Sequence, residues 1–425
     1  MRRLTAMVTV LLVLPGLACS SGERSDPPVT SSGGPSSPGS TGSASVEPSV
    51  DPDAPTGWGP TEGELASAGE RVAAMSREEQ VATVLMPGFW GYDGQAPSAA
   101  EAAQNQRMHG LDAPVEVAAQ RGYAGFFLRP EVISDADQVG RLASQLQEAG
   151  ADDARPLPLL LSIDQEGGVV QRLKVGVPPV PSAASVGARA DASYARRVAR
   201  DNGRTLRDLG LTMVFAPVAD VDPDGSSVIG SRSYSPNVDV AAEMVTASVA
   251  GYLDAGIVPV VKHFPGLGSV TGDSHRMLPV QRKSVDELMA TDLVPFAAAV
   301  AAGVPAVMVA HVEVRALERR MPASLSAAVI EELLRKRLGF DGVAVTDSQG
   351  MGPIFARFGP AEGAIRSLLA GNDLVLNSPR PEKARRAVLD AVESGRIPAE
   401  RLVEVATRVT ALRIYQQRLA TTPAD

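Results

Sequence analysis

The sequence of 425 residues predicts an α/β fold, a (β/α)8 TIM-like barrel in a single domain. Beyond residue 80, short apolar runs recur eight times, with helix-like segments between them. Successive runs begin about 30 to 55 residues apart, the length of a strand, a crossover helix and two loops. The runs are apolar throughout instead of alternating, as in parallel strands that are covered on both faces. A doubly wound open sheet has the same pattern and remains the alternative.

Each element follows from its own composition. The runs are rich in the branched and aromatic residues that strands favour. The eight predicted strands, in chain order, are 81–86, 125–128, 157–163, 213–218, 258–261, 306–310, 342–346 and 373–376. Between them, apolar residues recur at helical spacing. The clearest predicted helices are 195–200, 241–253, 287–302 and 327–338.

The charge balance and the cysteine count argue against several classes of function. There are 40 Lys and Arg residues against 49 Asp and Glu residues, a formal charge of -9, and no basic cluster lies beside aromatic residues. We therefore expect no nucleic-acid partner. The single cysteine rules out an intramolecular disulfide, and the four histidines lack the spacing of a zinc site. We expect neither a metal nor a cofactor.

The amino terminus, residues 1–19, predicts a signal peptide. Its basic start is followed by an apolar run from Ala6 to Leu17, which is too short to span a bilayer comfortably. Cys19 directly follows Ala18, and the segment resembles a bacterial lipoprotein signal, in which cleavage leaves the cysteine first and lipidated. The resemblance implies an exported protein that is anchored to the cell membrane through Cys19. The alternative is a secreted protein in which this cysteine is incidental.

Residues 20–60 predict a disordered linker. Of these 41 positions, 29 are Ser, Gly, Pro or Thr, and Lys, Ile, Leu, Phe and Met are absent. Such a stretch cannot bury enough apolar surface to fold. It would hold the domain that follows, predicted at 61–420, away from a membrane surface.

Polar residues follow the third to seventh predicted strands, at the point where each strand ends. They are Asp164, Asp220, Lys262 with His263, His311 and Asp347. An unpaired charge is costly to bury, so buried strands do not end in ionisable groups by default. Because the carboxyl ends of barrel strands meet on one rim, we expect these side chains to line one polar pocket.

Several longer motifs occur in order along the chain. They are Asp164-Gln165-Glu166-Gly167-Gly168, Phe215-Ala216-Pro217-Val218-Ala219-Asp220, Arg232-Ser233-Tyr234, Lys262-His263-Phe264-Pro265-Gly266, Asp273-Ser274-His275, Ala310-His311-Val312 and Thr346-Asp347. Together they resemble glycoside hydrolase family 3, in its compact single-barrel β-N-acetylglucosaminidase branch. The resemblance runs from about Leu65 to Leu412. It implies that 61–420 is a TIM-barrel catalytic domain.

The resemblance also implies the catalytic residues. Retaining cleavage of a glycoside needs a carboxylate that attacks the anomeric carbon and a second group that protonates the leaving oxygen. Asp347 is the predicted nucleophile, since a carboxylate at a strand end is held rigidly. His275 is implied to transfer the proton, with Asp273 orienting and charging its ring. Histidine suits this step because both of its protonation states are accessible near neutral pH.

Sugar recognition requires hydrogen bonds from planar polar groups to ring hydroxyls. The resemblance assigns this role to Asp164, Arg172, Arg232, Lys262 and His263. Three further motif residues are expected to orient the loops instead: Glu166, Asp220 and His311.

Two positions depart from the family pattern. The motif that begins at Lys262 usually has a histidine in its sixth place, where this chain has Leu267, so we expect one polar contact to be lost. The nucleophile is usually followed by a second acid, where this chain has Ser348. A less negative field at Asp347 favours its ionised form. We expect both changes to alter substrate preference or loop motion and to leave the catalytic roles in place.

The sequence as a whole predicts a retaining exo-β-N-acetylhexosaminidase. By resemblance, its substrate is terminal β-linked N-acetylglucosamine, in peptidoglycan fragments. Within the family, the alternatives are a phosphorylase, in which phosphate replaces water, and a β-glucosidase, whose usual further domain would not fit in the chain after Leu412. A non-catalytic sugar-binding lipoprotein is the alternative outside the enzymes. The sequence carries no signal of an oligomeric state.

Overall fold

Eight strands, each followed by at least one helix, organise the computed structural model, which describes residues 51–151, 155–272, 274 and 277–421. The strands are β1 (Leu85–Met86), β2 (Gly125–Phe127), β3 (Leu160–Ile163), β4 (Met213–Val214), β5 (Val258–Phe264), β6 (Ala306–Val309), β7 (Val343–Thr346) and β8 (Val375–Leu376). The strands β2 to β7 form one parallel sheet in chain order, and β1 pairs in parallel with β8. The carboxyl ends of β2 to β7 therefore lie at one edge of the sheet.

Backbone hydrogen bonds join the β1–β8 pair to both edges of that sheet. On one side, Thr346 N donates to Leu374 O at 3.0 Å, beside a parallel bridge between Val345 and Leu374. On the other side, Phe127 N donates to Pro87 O at 3.0 Å. The architecture is an α/β fold built on a parallel sheet, which confirms the predicted fold class at this level.

Helices alternate with the strands along the chain. The α-helices of five or more residues within the described part are Glu62–Ala74, Arg77–Thr83, Ala99–His109, Pro114–Arg121, Ala136–Gly150, Ala183–Gly187, Ala192–Asp208, Val238–Asp254, Val285–Ala290, Val294–Ala301, Gly352–Ala370, Pro381–Glu393 and Ala399–Thr421. A short α-helical turn, Ala327–Val329, continues as the π-helix Ile330–Arg337. Across the described ranges, none of these helices has both the length and the apolarity to cross a membrane.

The loops at the carboxyl ends of the strands contain short 3-10 turns and short paired strands. The 3-10 turns are Pro130–Val132, Gly230–Arg232 and Ala323–Leu325. The short strands are Gln165–Gly167, antiparallel to Val170–Gln171, and Val280–Gln281, parallel to Glu313–Val314. The first of these pairs follows β3 directly and carries several of the predicted site residues.

The first predicted strand, 81–86, is helical in its first half. Arg77–Thr83 is an α-helix because Ser76 and Glu79 form a capping box. Ser76 Oγ accepts from Glu79 N at 3.3 Å, and Glu79 Oε2 accepts from Ser76 N at 2.7 Å. Only Leu85–Met86 remains as a strand, so the prediction was wrong for its first half.

The predicted helix 287–302 is two helices, Val285–Ala290 and Val294–Ala301. Pro295 lies in the first turn of the second helix, where its missing N–H is tolerated, whereas it would interrupt one continuous helix. The predicted helices 195–200 and 241–253 are confirmed within longer helices, and 327–338 contains the π-helix.

One apolar cluster contains side chains from all eight strands. Its members from β1 to β8 include Met86, Phe127, Leu160, Met213, Val260, Met308, Val345 and Leu376. These side chains are buried, and the rings of Phe127 and Phe215 lie 5.5 Å apart. The cluster fixes the strands from which the site residues project.

Residues 51–60, at the end of the predicted linker, pack on the carboxyl-terminal helix. Trp58 is buried at 4% exposure and belongs to the same cluster as Tyr415. A Cβ at Gly59 would lie 2.5 Å from the Tyr415 ring, so this close approach requires glycine. Arg418 of the same helix donates to Gly59 O at 2.9 Å. The folded part of the chain therefore includes these ten residues, which Trp58 and backbone hydrogen bonds such as Glu62 N to Ala54 O tie to the domain.

Candidate active site

A cavity of about 930 Å³ opens where the strands end. Part of its lining is apolar and comes from Phe127, Phe215, Met308 and Leu376. The rest of its lining is largely polar and belongs to the end of β5 and to the segments that follow the strands. Sites form at this edge of parallel α/β folds because loops from several strands converge there.

Lys262, near the end of β5, is buried at the centre of a charged cluster in this cavity. Its Nζ donates to Asp164 Oδ1 at 2.5 Å and lies 2.7 Å from Glu166 Oε1. Glu166 also accepts two hydrogen bonds from Arg232, from Nε at 2.7 Å and from Nη2 at 2.8 Å. The lysine side chain is 3% exposed, and such burial requires partners because an isolated ammonium is costly to desolvate.

Both members of the central ion pair are held in their charged forms. Burial raises the pKa of Glu166, but Lys262 and Arg232 lower it by more, to about 2. Burial lowers the pKa of Lys262, but Asp164 and Glu166 raise it above its ordinary value. The cluster therefore keeps a fixed pattern of charge at neutral pH, which suits strong hydrogen bonds to hydroxyl groups.

His263 is held in one orientation by partners at both ring nitrogens. Its Nδ1 lies 2.6 Å from Asp220 Oδ2, and its Nε2 lies 3.3 Å from Arg232 Nη2. Because a guanidinium can only donate, Nε2 accepts from Arg232, and the Nδ1–H group donates a hydrogen bond to the Asp220 carboxylate. Asp220 also accepts the Leu267 N–H at 2.7 Å, so it ties this ring to the loop after β5.

Asp347 directly follows β7 and lines the cavity. Its Oδ1 accepts the Ser348 N–H at 2.7 Å. Burial raises the pKa of this carboxyl, but His311, His263 and the Ser348 amide outweigh burial, so the pKa lies below its ordinary value. Asp347 forms no ion pair with any residue that the structure describes. It is therefore an ionised carboxylate at the cavity wall, as a nucleophile must be.

His311 holds in place the segment after β7 that contains Asp347 and Ser348. Its Nε2 lies 3.0 Å from Ser348 O, and its Nδ1 lies 2.7 Å from Ser324 Oγ. A carbonyl oxygen only accepts, so Nε2 carries a proton and donates to Ser348 O, while Nδ1 shares a hydrogen bond with the serine hydroxyl. His311 is fully buried and does not line the cavity. It thus positions Ser348, and Asp347 through it.

The structure places most of the predicted site residues around this one cavity. Those that line it are Asp164, Glu166, Arg172, Arg232, Lys262, His263 and Asp347. Asp220 and His311 do not line the cavity, but they contact residues that do, His263 and Ser348 respectively. Within the described ranges, no group of three His, Cys, Asp or Glu side chains is arranged to hold a metal ion.

Three predicted functional residues lie outside the described residues: Asp273, His275 and Cys19. Ser274, between the first two in the chain, is described. Its side chain is buried and lines the cavity.

The cavity lining also includes residues that the sequence had not indicated, among them Trp90, Arg107, Arg129, Asn377 and Arg380. Asn377 directly follows β8 and has a φ of 49°, in the left-handed region that asparagine tolerates. Its Nδ2 donates to Ser348 Oγ at 2.9 Å, next to the predicted nucleophile. Arg129 follows β2 after one residue. The strand-end rule would have identified both of them.

The two departures from the family pattern have local explanations. Leu267 is buried in an apolar cluster with Phe264 and Val270, and its backbone N–H keeps the contact to Asp220. The loop after β5 is therefore anchored without a polar side chain at that place. Ser348 stands where an acid is usual, and its hydroxyl oxygen accepts a hydrogen bond from Asn377 Nδ2.

Comparisons with known sequences identify the family of this chain. The model of the glycosyl hydrolase family 3 N-terminal domain matches residues 79–412. The chain is 39% identical over 270 residues to beta-hexosaminidase LpqI of Mycobacterium tuberculosis, covering 61% of this chain and 69% of that protein. It is 38% identical over 263 residues to a beta-hexosaminidase of Thioalkalivibrio sulfidiphilus, covering 60% of this chain and 74% of that protein.

Solved structures give the same result. A glycoside hydrolase family 3 beta-N-acetylglucosaminidase from a Paenibacillus species matches with a TM-score of 0.74 and 38% identity, covering 83% of this chain. This match spans 64% of the Paenibacillus chain. The structure of M. tuberculosis LpqI matches with a TM-score of 0.69 and 31% identity, covering 80% of this chain and 95% of that one. The chain belongs to glycosyl hydrolase family 3.

Proposed function

We propose that the protein is a retaining exo-β-N-acetylhexosaminidase that hydrolyses terminal β-linked N-acetylglucosamine. The observation that carries this proposal is Asp347, an ionised carboxylate at the wall of a polar cavity, with no ion-pair partner among the described residues. The similarity to proteins named beta-hexosaminidase and beta-N-acetylglucosaminidase supports the same activity.

The proposed reaction has two steps. In the first, Asp347 attacks the anomeric carbon and the bond to the leaving-group oxygen breaks, which gives a covalent glycosyl-enzyme. We assign protonation of that oxygen to His275, with Asp273 orienting its ring. In the second step, the same histidine takes a proton from water while the water displaces Asp347, which restores the enzyme and retains the anomeric configuration.

Binding of the terminal sugar is assigned to Asp164, Arg172, Arg232, Lys262 and His263. The carboxylate accepts hydrogen bonds from ring hydroxyls, and the cationic groups donate to their oxygens. The ion pairs of Lys262 with Asp164 and Glu166, and of Arg232 with Glu166, support the proposal, because they hold these side chains in place before the substrate arrives. Preorganised groups of this kind lose little entropy on binding.

We also propose that the eight strands close into one (β/α)8 barrel, in a single catalytic domain at 61–420. Two features support closure: the hydrogen bonds that join the β1–β8 pair to both sheet edges, and the apolar cluster to which all eight strands contribute. Closure would bring the loops after β1 and β8 to the same cavity as the loops after β3 to β5.

For location, we propose that residues 1–19 direct export and that Cys19 is lipidated, with 20–50, the part of the predicted linker that precedes the folded residues, as a tether and peptidoglycan fragments as the substrate. The basic start, the apolar run and the Ala18–Cys19 junction support export and anchoring. Labelling of growing cells with a tagged fatty acid tests the anchor: wild-type protein should carry the label, and the Cys19→Ser variant should not.

The activity is tested with 4-nitrophenyl β-N-acetylglucosaminide and the corresponding β-glucoside. We expect release of 4-nitrophenol from the acetylated substrate only, and its near abolition in Asp347→Asn. Asp341→Asn is the matched control, because Asp341 is exposed and precedes the opposite end of β7. Turnover of the glucoside alone would indicate a β-glucosidase, and sugar binding without turnover would indicate a receptor.

A further inference from the structure

The loop after β5 contains the residues to which proton transfer is assigned, and both arms of this loop bind one buried carboxylate. The first arm contains Ser269 and the second contains Lys283, on either side of Asp273 and His275 in the chain. Ser269 Oγ donates to Asp292 Oδ1, and Lys283 Nζ donates to Asp292 Oδ2 at 2.5 Å. We propose that Asp292 is a positioning residue for the proton-transfer step, because it fixes the two arms relative to each other. This inference rests on the proposed function.

Asp292 is buried outside the cavity. Its side chain is 1% exposed, and it lies between the helices Val285–Ala290 and Val294–Ala301. A buried carboxylate needs a cation or several hydrogen-bond donors, since an unpaired charge is costly to desolvate. The two arms of the loop supply both. Because Asp292 is not among the residues that line the cavity, its effect on the reaction has to pass through the loop.

The first arm packs closely against Asp292. Gly266 has a φ of 118°, in the region that favours glycine, and a Cβ there would lie 2.9 Å from the Asp292 Cβ. The next residue, Leu267, donates its N–H to Asp220 Oδ1 at 2.7 Å, and Asp220 also orients His263. Two carboxylates therefore set the position of the first arm, and one of them also holds a proposed sugar-binding residue.

The second arm is bound to the first through Gln281. Its Nε2 donates to Ser269 Oγ at 2.8 Å, and its Oε1 accepts from Lys283 N at 3.0 Å. Gln281 also belongs to the short strand that pairs with Glu313–Val314, after β6. Ser269 thus accepts from the second arm and donates its hydroxyl proton to the carboxylate. These contacts form a closed ring that starts and ends at Asp292, so the loss of this carboxylate would separate the two arms.

The loop reaches the cavity between its two arms. Ser274 is buried and lines the cavity, as Asp347 does. It stands between Asp273 and His275 in the chain. Proton transfer requires the donor to lie within hydrogen-bond reach of the leaving oxygen, and a displacement of about 1 Å can cost about 100-fold in rate. A change in the spacing of the arms should therefore impair the proton-transfer step in particular.

The experiment compares kcat/KM for two substrates that differ in their need for an acid. The first is 4-nitrophenyl β-N-acetylglucosaminide, whose leaving group departs readily as an anion. The second is the β-1,4-linked disaccharide of N-acetylglucosamine, whose leaving oxygen has to be protonated. The ratio of the first value to the second measures the loss of acid assistance. A smaller fraction of folded enzyme would lower both values equally and leave the ratio unchanged.

We expect this ratio to rise about 10- to 100-fold in Asp292→Asn, because a neutral amide holds the two arms poorly and the proton donor is misplaced. Ser269→Ala keeps the ion pair between Asp292 and Lys283, and it should raise the ratio by less, about 3- to 10-fold, since one hydrogen bond is lost. In the His275→Ala background, Asp292→Asn should raise the ratio no further, because the group that it positions is absent.

Asp286→Asn is the matched control, because Asp286 is exposed on the helix Val285–Ala290, and its ratio should equal that of the wild type. A wild-type ratio in Asp292→Asn and Ser269→Ala would overturn the inference and leave the proposed function intact. If Asp292→Asn does not fold, the ratio in Ser269→Ala decides alone. A rise in the His275→Ala background as large as in the wild type would also overturn it. No turnover of either substrate by the wild type would overturn the proposed function and this inference with it.

Discussion

Replacement of Glu166 by glutamine should destabilise the protein by an amount that depends on pH. Glu166 binds Lys262 and Arg232, and its side chain is 5% exposed. These partners outweigh burial and lower the pKa of Glu166 from 4.5 to about 2. A pKa that is lower in the folded state contributes stability above the unfolded pKa, and this contribution is lost as the pH falls through the folded value. The lowering corresponds to about 3 kcal/mol of unfolding free energy.

The assay is urea unfolding at a series of pH values, followed by the fluorescence of the two tryptophans, Trp58 and Trp90. Between pH 7 and pH 5, we expect Glu166→Gln to be less stable than the wild type by a constant amount. As the pH falls from about 4.5 to about 2, the difference should shrink by about 3 kcal/mol, because the wild-type carboxylate becomes protonated.

Glu70→Gln is the control, since Glu70 is exposed on the helix Glu62–Ala74. Its stability relative to the wild type should not change over this range. A difference between Glu166→Gln and the wild type that is the same at pH 7 and at pH 2 would refute the reasoning. It would mean that the ion pairs with Lys262 and Arg232 do not stabilise the carboxylate.

Three further predictions follow from single contacts. Asp220→Asn should lower kcat/KM about 10- to 100-fold in steady-state assays, because the charge-assisted hydrogen bond that orients His263 is worth about 1.5–3 kcal/mol; an unchanged kcat/KM would contradict this role. Asp373→Asn should destabilise the protein by about 3–5 kcal/mol in urea unfolding, because three arginines lose a buried carboxylate; a loss below about 1 kcal/mol would argue against it. Gly125→Ala should sharply lower the yield of folded protein, measured by size-exclusion chromatography, since the new Cβ would lie 1.9 Å from Leu160 O; a wild-type yield and melting temperature would show that the strands can separate.

Polar residues that directly follow predicted strands indicated part of the site. Residues at the strand ends that were left out of this search were missed. Polar residues at the ends of the third to seventh runs led to Asp164, Lys262 and Asp347, which the structure places around one cavity. The same rule, applied at the ends of β2 and β8, would have found Arg129 and Asn377. Their signal was therefore present in the chain.

Other features depend on the fold and have no local signal. Glu166 was expected to orient a loop, and its contact with Lys262 joins residues that are 96 positions apart in the chain. Arg107 and Arg380 are separated by 273 positions, and only the packing of the strands brings them together. By contrast, the misassigned first half of run 81–86 had a local signal, because Ser76 and Glu79 have the spacing of a capping box.

The central claim is that Asp347 forms a covalent bond with the sugar. Its most direct test is incubation with a 5-fluoro N-acetylglucosaminyl fluoride, whose ring fluorine slows breakdown of the glycosyl-enzyme, followed by mass spectrometry of the intact protein and of its peptides. The account predicts one glycosyl group on the peptide that contains Asp347, and none in Asp347→Asn. A label on another carboxylate, or turnover in which Asp347→Asn is as active as the wild type, would contradict it.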